Sequence, residues 1–308
     1  MKKIDIHSHY FPKAYVDVLK KHGIYTLDGV PKPEWDEDTL FKYMDELDIE
    51  RSVISLSSPH FYFGDAKETM DVARACNEYG ADLKKRYPGK ISIMASLPLP
   101  EMTASIEEIR YCKEQLGLNG IALQTHYQGI YLGSKILDPV MEALNKYNSV
   151  VVLHPTVPSA VPEGVNEKLP AAIMEYFFDT TRAVTNMIVN ETFHKYPGIR
   201  FVIPHAGAFL TVLSDRLATL GSVLKLNDNL DVEGNLRNLY YDMAGISMPK
   251  QYELLQKITD DSHILYGSDA PFTSLQLCKK LEESMENGLK KELKDKIYYR
   301  NTKELLKL

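Results

Sequence analysis

Eight short apolar, β-branched runs bounded by turn residues recur along the whole chain, and no other feature restricts its folding as much. They cover Lys3 to His7, Ser52 to Ser57, Ile91 to Leu97, Gly120 to Thr125, Ser149 to His154, Arg200 to His205, Leu239 to Met243 and His263 to Gly267. Between them apolar residues recur at three- and four-residue spacing, as in Leu40, Met44 and Leu47 or Ile136, Val140, Met141 and Leu144. That is the pattern of amphipathic helices. Continuously apolar short strands separated by helices imply a parallel sheet with covered faces, and eight such units are the count that closes a (β/α)8 TIM barrel. An open doubly wound sheet is the alternative. Against it, the stretch after the first strand reads His-Ser-His-Tyr-Phe-Pro and has no glycine-rich turn for a phosphate.

The chain has 308 residues, 44% of them hydrophobic and 25% charged, which places it among soluble globular proteins able to bury a sizeable core. No internal repeat, low-complexity tract or linker rich in Pro, Gly or Ser divides it, so residues 1–308 read as one domain. The 36 basic and 42 acidic residues give a net charge of −6 without a basic stripe, which argues against nucleic acid as a partner. No apolar signal core follows Met1-Lys2-Lys3, and no apolar run approaches the roughly 20 residues that span a bilayer, so no membrane role is expected. Cys76, Cys112 and Cys278 are odd in number and far apart, which excludes a disulfide framework and implies a reduced, cytoplasmic protein.

The segments Phe11 to Asp38 and Pro155 to Pro170 are longer than typical connections, and both leave the C-terminal end of a strand, where barrel active sites form. Lys290 to Leu308 reads as a charged closing helix with Ile297, Leu305 and Leu306 turned to the barrel.

In a barrel, side chains at the C-terminal strand ends converge on one mouth. Strand one ends in His7 and His9, strand five in His154, strand six in His205, and strand eight runs into Asp269. Each has an ordinary structural reading: an HxH pair occurs by chance, His154 before Pro155 suits a satisfied core histidine, and Asp269 suits an N-cap. Their coincidence at the ends of strands of one barrel favours a metal site. Residues i and i+2 of a strand share a face, so His7 and His9 can grip one ion, and three histidines plus a carboxylate are a typical set for zinc or a similar divalent ion. Asp5 shares that face by the same rule.

The stretches "IDIHSHYFP", "VVLHPT", "FFDTTRAVTNMI", "YPGIRFVIPHAGAF", "YYDMAG" and "ILYGSDAPF" resemble the amidohydrolase superfamily of metal-dependent barrels over nearly the whole chain. Within it they are similar to the amidohydrolase-related group of aminocarboxymuconate semialdehyde, resorcylate and 6-methylsalicylate decarboxylases. The resemblance implies that His7, His9, His154 and Asp269 hold one divalent ion, zinc first and manganese second, with His205 beside it as acid or base. It also implies a homodimer. Many superfamily members hold two ions bridged by a modified lysine at the end of strand four; here that end reads Ala122-Leu123-Gln124-Thr125-His126-Tyr127, which favours a mononuclear site.

Such a site suits a metal-dependent non-oxidative decarboxylase, a carboxy-lyase acting on a small aromatic or unsaturated carboxylic acid, with Asp269 or His205 handling the proton. The alternative is a hydrolase in which the same residues activate water against a lactone or amide. A non-catalytic metal-binding barrel is a third reading, and the complete ligand set argues against it. Arg182 is the candidate cation for an anionic substrate, although its spacing from Asp179 also fits an ion pair on a helix. His126, Phe178 and Tyr241 are further candidate substrate contacts; a loop position for His126 and core positions for the two aromatics are their structural alternatives. His60, just past strand two, is one more residue at the mouth.

Overall fold

Parallel pairing places the main strands side by side in the order of the sequence. In the computed structural model, which describes residues 1–308, they are β1 (Lys3–His9), β2 (Ile49–Ser55), β3 (Ile91–Ser96), β4 (Gly120–Gln124), β5 (Val150–His154), β6 (Arg200–Ile203), β7 (Tyr240–Asp242) and β8 (Ile264–Leu265). The sheet closes on itself. Ile6 N donates to Tyr266 O at 3.0 Å, Asp269 N to His7 O at 2.8 Å and His9 N to Ala270 O at 2.7 Å. The architecture is the (β/α)8 barrel that the eight runs predict.

The outer layer comprises α1 (Lys13–Lys21), α2 (Glu37–Glu46), α3 (Ala66–Arg86), α4 (Met102–Glu114), α5 (Asp138–Lys146), α6 (Glu175–Val189), α7 (Leu210–Val223) and α8 (Leu275–Gly288), with shorter helices between them. Local sequence sets their starts: Asp36 accepts from Thr39 N and Asp65 from Glu68 N, each carboxylate satisfying a free amide of the first turn. Two apolar layers result. Ile4, Ile6, Val53, Met94, Val152 and Val202 meet inside the barrel, and a larger cluster of 60 residues fills the space between sheet and helices.

The C-terminal stretch is helical from Lys291 to Leu306, with a π-helical segment, Lys296–Arg300, between α-helical Lys291–Asp295 and Asn301–Leu306. Leu305 joins the barrel-interior cluster and Leu306 packs against it. Ile297 is fully buried, and its carbonyl accepts from Tyr266 N at 3.0 Å. That bond takes the Tyr266 amide away from the strand ladder, which is why β8 is shorter than its apolar run.

Two expectations change. β2 begins at Ile49, earlier than the apolar run, because the charged Glu50-Arg51 pair lies at the barrel base and still pairs with β1 through Ile4 and Arg51. Asp5 does not simply share a face with His7 and His9, because the β1–β2 register slips between Asp5 and Ser8. The slip breaks the alternation after Ile4 and Ile6 and turns both histidines to the mouth. Asp5 instead accepts from Ser268 Oγ and from the backbone N of His7 and Ser268, tying the first strand to the last.

The long segment after β1 holds α1 and a small hairpin, Thr26–Leu27 paired with Val30–Pro31. Its Asp28-Gly29 turn has φ of 50° and 85°, the two positive values that suit a two-residue hairpin turn. No helix is long and apolar enough to cross a membrane.

Candidate metal centre

Three imidazoles meet at the mouth of the barrel. One nitrogen from each of His7, His9 and His154 lies within 4.8 Å of the others, and all three residues are buried. Asp269 Oδ1 stands 3.2 Å from His9 Nε2 and 3.6 Å from His7 Nε2. The chain thus brings together the four residues named from the strand ends as candidate ligands.

The far side of each ring explains which nitrogen faces inward. His7 Nδ1 donates to Asp242 Oδ2 at 2.8 Å, His9 Nδ1 lies 3.4 Å from Ser55 O, and His154 Nδ1 is 2.6 Å from Pro155 O. With Nδ1 committed to an acceptor, the neutral form of each ring presents its Nε2 lone pair to a cation. His7 Nε2 and His9 Nε2 are buried without an aligned hydrogen bond, facing only the Asp269 carboxylate, a costly arrangement that a bound cation relieves. Burial pushes His9 and His154 below the ordinary imidazole range, so both are neutral and ready to ligate. His7 behaves differently: burial opposes its charge, but Asp242 and then Asp269 outweigh it and lift the pKa to about 9. Two carboxylates here demand a positive charge, which a divalent ion supplies. The donor set of three imidazoles and one carboxylate therefore fits the group.

His205 sits beside the cluster, its ring centroid 5.3 Å from that of His7 and stacked on Phe177 at 5.8 Å. Its amide donates to Asp242 Oδ1 at 3.0 Å, so one aspartate fixes both His7 and His205. His205 and Asp269 have φ of 55° and 58°, strained values for non-glycine residues that the closed barrel holds in place.

A cavity of about 410 Å³ opens above these groups, lined by His154, His205, Asp269, Tyr176, Phe177 and Phe272 among others. Leu27 and Val30 of the hairpin cover it on one side. Asp28 accepts from Tyr176 OH at 2.8 Å and from Ser58 Oγ at 2.5 Å, with Thr156 Oγ1 at 3.5 Å, which anchors the hairpin to the loops after β2 and β5.

Other sequence candidates lie elsewhere. Arg182 is half-exposed on α6 and bonds Asp179 Oδ1 at 3.2 Å and Tyr131 OH at 3.4 Å. Phe178 faces Phe209 and, with Arg182 and Val212, lines an outer groove rather than the cavity. Tyr241 is fully buried, its OH donating to Leu236 O at 2.7 Å. Both nitrogens of His126 are used, one with Val157 O at 2.9 Å and one with Gly129 N at 3.3 Å. His60 is held likewise between Leu97 O and Tyr62 N.

Asp242, Tyr176, Phe177, Phe272 and Asp28 went unassigned in the sequence. Asp242 was within reach of the strand-end rule, since it closes β7 in "YYDMAG". Tyr176 and Phe177 carried no comparable signal, because neighbours on a helix differ by about 100° and only the fold sets the phase, and Phe272 stands in a turn before α8.

Comparison with known proteins extends these observations. A family model described as amidohydrolase matches residues 4–308. Decarboxylase macB of Penicillium terrestre is 30% identical over 306 residues, covering 93% of this chain and 89% of the relative. The 6-methylsalicylic acid decarboxylase of Penicillium expansum is 29% identical, covering 88% and 85%. Among solved structures, an amidohydrolase II crystal structure superposes with a TM-score of 0.95 at 37% identity, covering 99% of this chain and all of the other. A match that runs from the first barrel strand to the last residue leads to one conclusion: this chain belongs to the amidohydrolase family.

Proposed function

We propose that the protein is a metal-dependent, non-oxidative decarboxylase of a small aromatic or unsaturated carboxylic acid, built as a single barrel domain. The observation that carries this reading is the convergence of His7, His9, His154 and Asp269 on the floor of an aromatic-walled cavity that His205 also lines. The two decarboxylase relatives, aligned over most of the chain, support the same reaction class.

His7, His9, His154 and Asp269 would hold a divalent ion, which would supply positive charge to a bound carboxylate. The chain's own residues do the rest. Asp242 holds the His7 ring in its ligating tautomer and, through the His205 amide, sets the position of the histidine that moves the proton. Phe177 stacks on the His205 ring and limits its rotation. Tyr176, Phe177 and Phe272 orient a flat ring and exclude water. A proton passes from His205 or Asp269 to the ring carbon that bears the carboxylate; the carbon–carbon bond then breaks, its electron pair restores the ring, and carbon dioxide leaves.

Zinc suits three imidazole nitrogens and one carboxylate oxygen, with manganese second. The absence of a lysine at the end of β4, where Gln124 stands, supports a single ion. A reduced, cytoplasmic setting agrees with three free, buried cysteines. A homodimer is part of the same reading, supported by the largely exposed Val212, Val223 and Leu224 on and just after α7; light scattering in solution tests it.

The decisive experiment screens hydroxybenzoates, unsaturated acids and lactones with the metal-loaded protein. Carbon dioxide release is expected; ring opening of a lactone without it would replace the lyase with the hydrolase. His154→Ala should lose the metal, whereas His205→Ala should keep it and lose about 10²-fold or more in turnover.

A further inference from the structure

The cavity contains no cation of its own. No lysine or arginine is among its lining residues, whose only charged or titratable members besides Tyr176 are His154, His205 and Asp269 of the metal centre. Lys32 comes from the covering hairpin's end, but its Nζ donates to Pro33 O at 2.9 Å and lies over the Phe11 ring at 5.2 Å. Arg182 is engaged with Asp179 on the outer side of α6.

Neutral donors are also committed. The hydroxyls that line the cavity belong to Ser57, Tyr176 and Thr273. Ser57 Oγ donates to Ser58 O at 3.1 Å, Tyr176 OH to Asp28 Oδ2 at 2.8 Å and Thr273 Oγ1 to Asp269 Oδ2 at 3.1 Å. Beyond the metal-centre residues, a second anionic group would find no cationic side chain and no uncommitted side-chain hydroxyl, and behind Tyr176 it would meet the Asp28 carboxylate. Burying a carboxylate unpaired is strongly unfavourable. The mouth is aliphatic instead: Ile173 and Ile246 line the cavity yet remain 62% and 67% exposed, beside Leu27 and Val30.

We propose that this cavity selects monoanionic aromatic acids carrying an apolar substituent on the side of the ring away from the carboxylate, and rejects dicarboxylic acids. The inference rests on the reading of the cavity as the place where an acid meets the metal, and it narrows the substrate class to one carboxylate and an alkyl-bearing ring. Ile173 and Ile246 are its specificity-determining residues.

Calorimetric titration of the zinc-loaded protein tests it, using 2-hydroxybenzoate, its 4-methyl, 4-ethyl and 4-propyl derivatives, and 4-carboxy-2-hydroxybenzoate. Affinity should rise about threefold to fourfold with each added carbon until the mouth is filled, and the dianion should bind at least tenfold more weakly than the methyl compound. Ile246→Lys should erase most of that penalty while weakening the propyl compound. A flat alkyl series, a dianion that binds as well as the monoanions, or no binding by any of these acids would overturn the proposal. Carbon dioxide release is measured in parallel: the predicted affinity order without any release would leave the selectivity standing and remove the lyase reading.

Discussion

His7 Nδ1 and Asp242 Oδ2 are 2.8 Å apart, although 235 residues separate them in the chain. This one bond presents His7 Nε2 to the metal centre, and the other oxygen of the same carboxylate receives the His205 and Ala244 amides at 3.0 Å each. Asp242→Asn should therefore lower metal affinity about 10- to 100-fold, and Asp242→Ala should lower it further and loosen His205. Competition against a graded chelator measures the first effect. Unchanged affinity in both variants would show that the bond has no bearing on the centre.

Asp28 joins the hairpin to the barrel by accepting from Ser58 and Tyr176, with Thr156 at the limit of reach. Asp28→Ala strands buried hydroxyls and frees the Tyr176 ring, with an expected loss of about 1–3 kcal/mol in stability. KM should rise severalfold with a smaller change in kcat, and Asp28→Asn should recover most of both. Denaturant unfolding together with steady-state kinetics separates the two effects.

Arg182 tests the division between the inner and outer faces of α6. The Asp179 carboxylate is fully buried and also accepts from Thr125 and Tyr131, so it keeps partners when Arg182 is removed. Because the guanidinium is half-exposed, Arg182→Ala should cost less than about 1 kcal/mol. KM should stay within about twofold of wild type; a rise of tenfold or more would place Arg182 against the substrate.

His60 predicts an acid limit to stability. Burial lowers its pKa from 6.5 to about 4, and its Nδ1 must stay unprotonated to accept from Tyr62 N while Nε2 donates to Leu97 O. The unfolded chain takes up a proton near pH 6.5 that the folded chain refuses until about pH 4. Stability is complete above pH 6.5 and falls as the pH drops toward 4, by as much as about 3 kcal/mol. His60→Gln, which can accept and donate at both places without titrating, should flatten this slope relative to wild type in denaturant midpoints between pH 7.5 and pH 4.5. Identical slopes would exclude His60 as the cause.

What the residue order determined by itself was the barrel and the positions of its strand ends. Alternation of apolar strands with amphipathic helices is a local signal, and closing eight such units brings His7, His9, His154, His205 and Asp269 to one mouth whatever the loops do. What only the tertiary structure decided depends on distance and rotation. The slip in β1 aims the two histidines, Asp242 reaches His7 across the barrel, and the phase of α6 turns Phe177 to the cavity while Phe178 and Arg182 face outward. Periodicity tells which residues are buried, but not which nitrogen of an imidazole is free or which partner has already taken a charge. Those follow from side chains that meet only after the chain has closed, where each unmet polar group carries a desolvation cost that selects one arrangement.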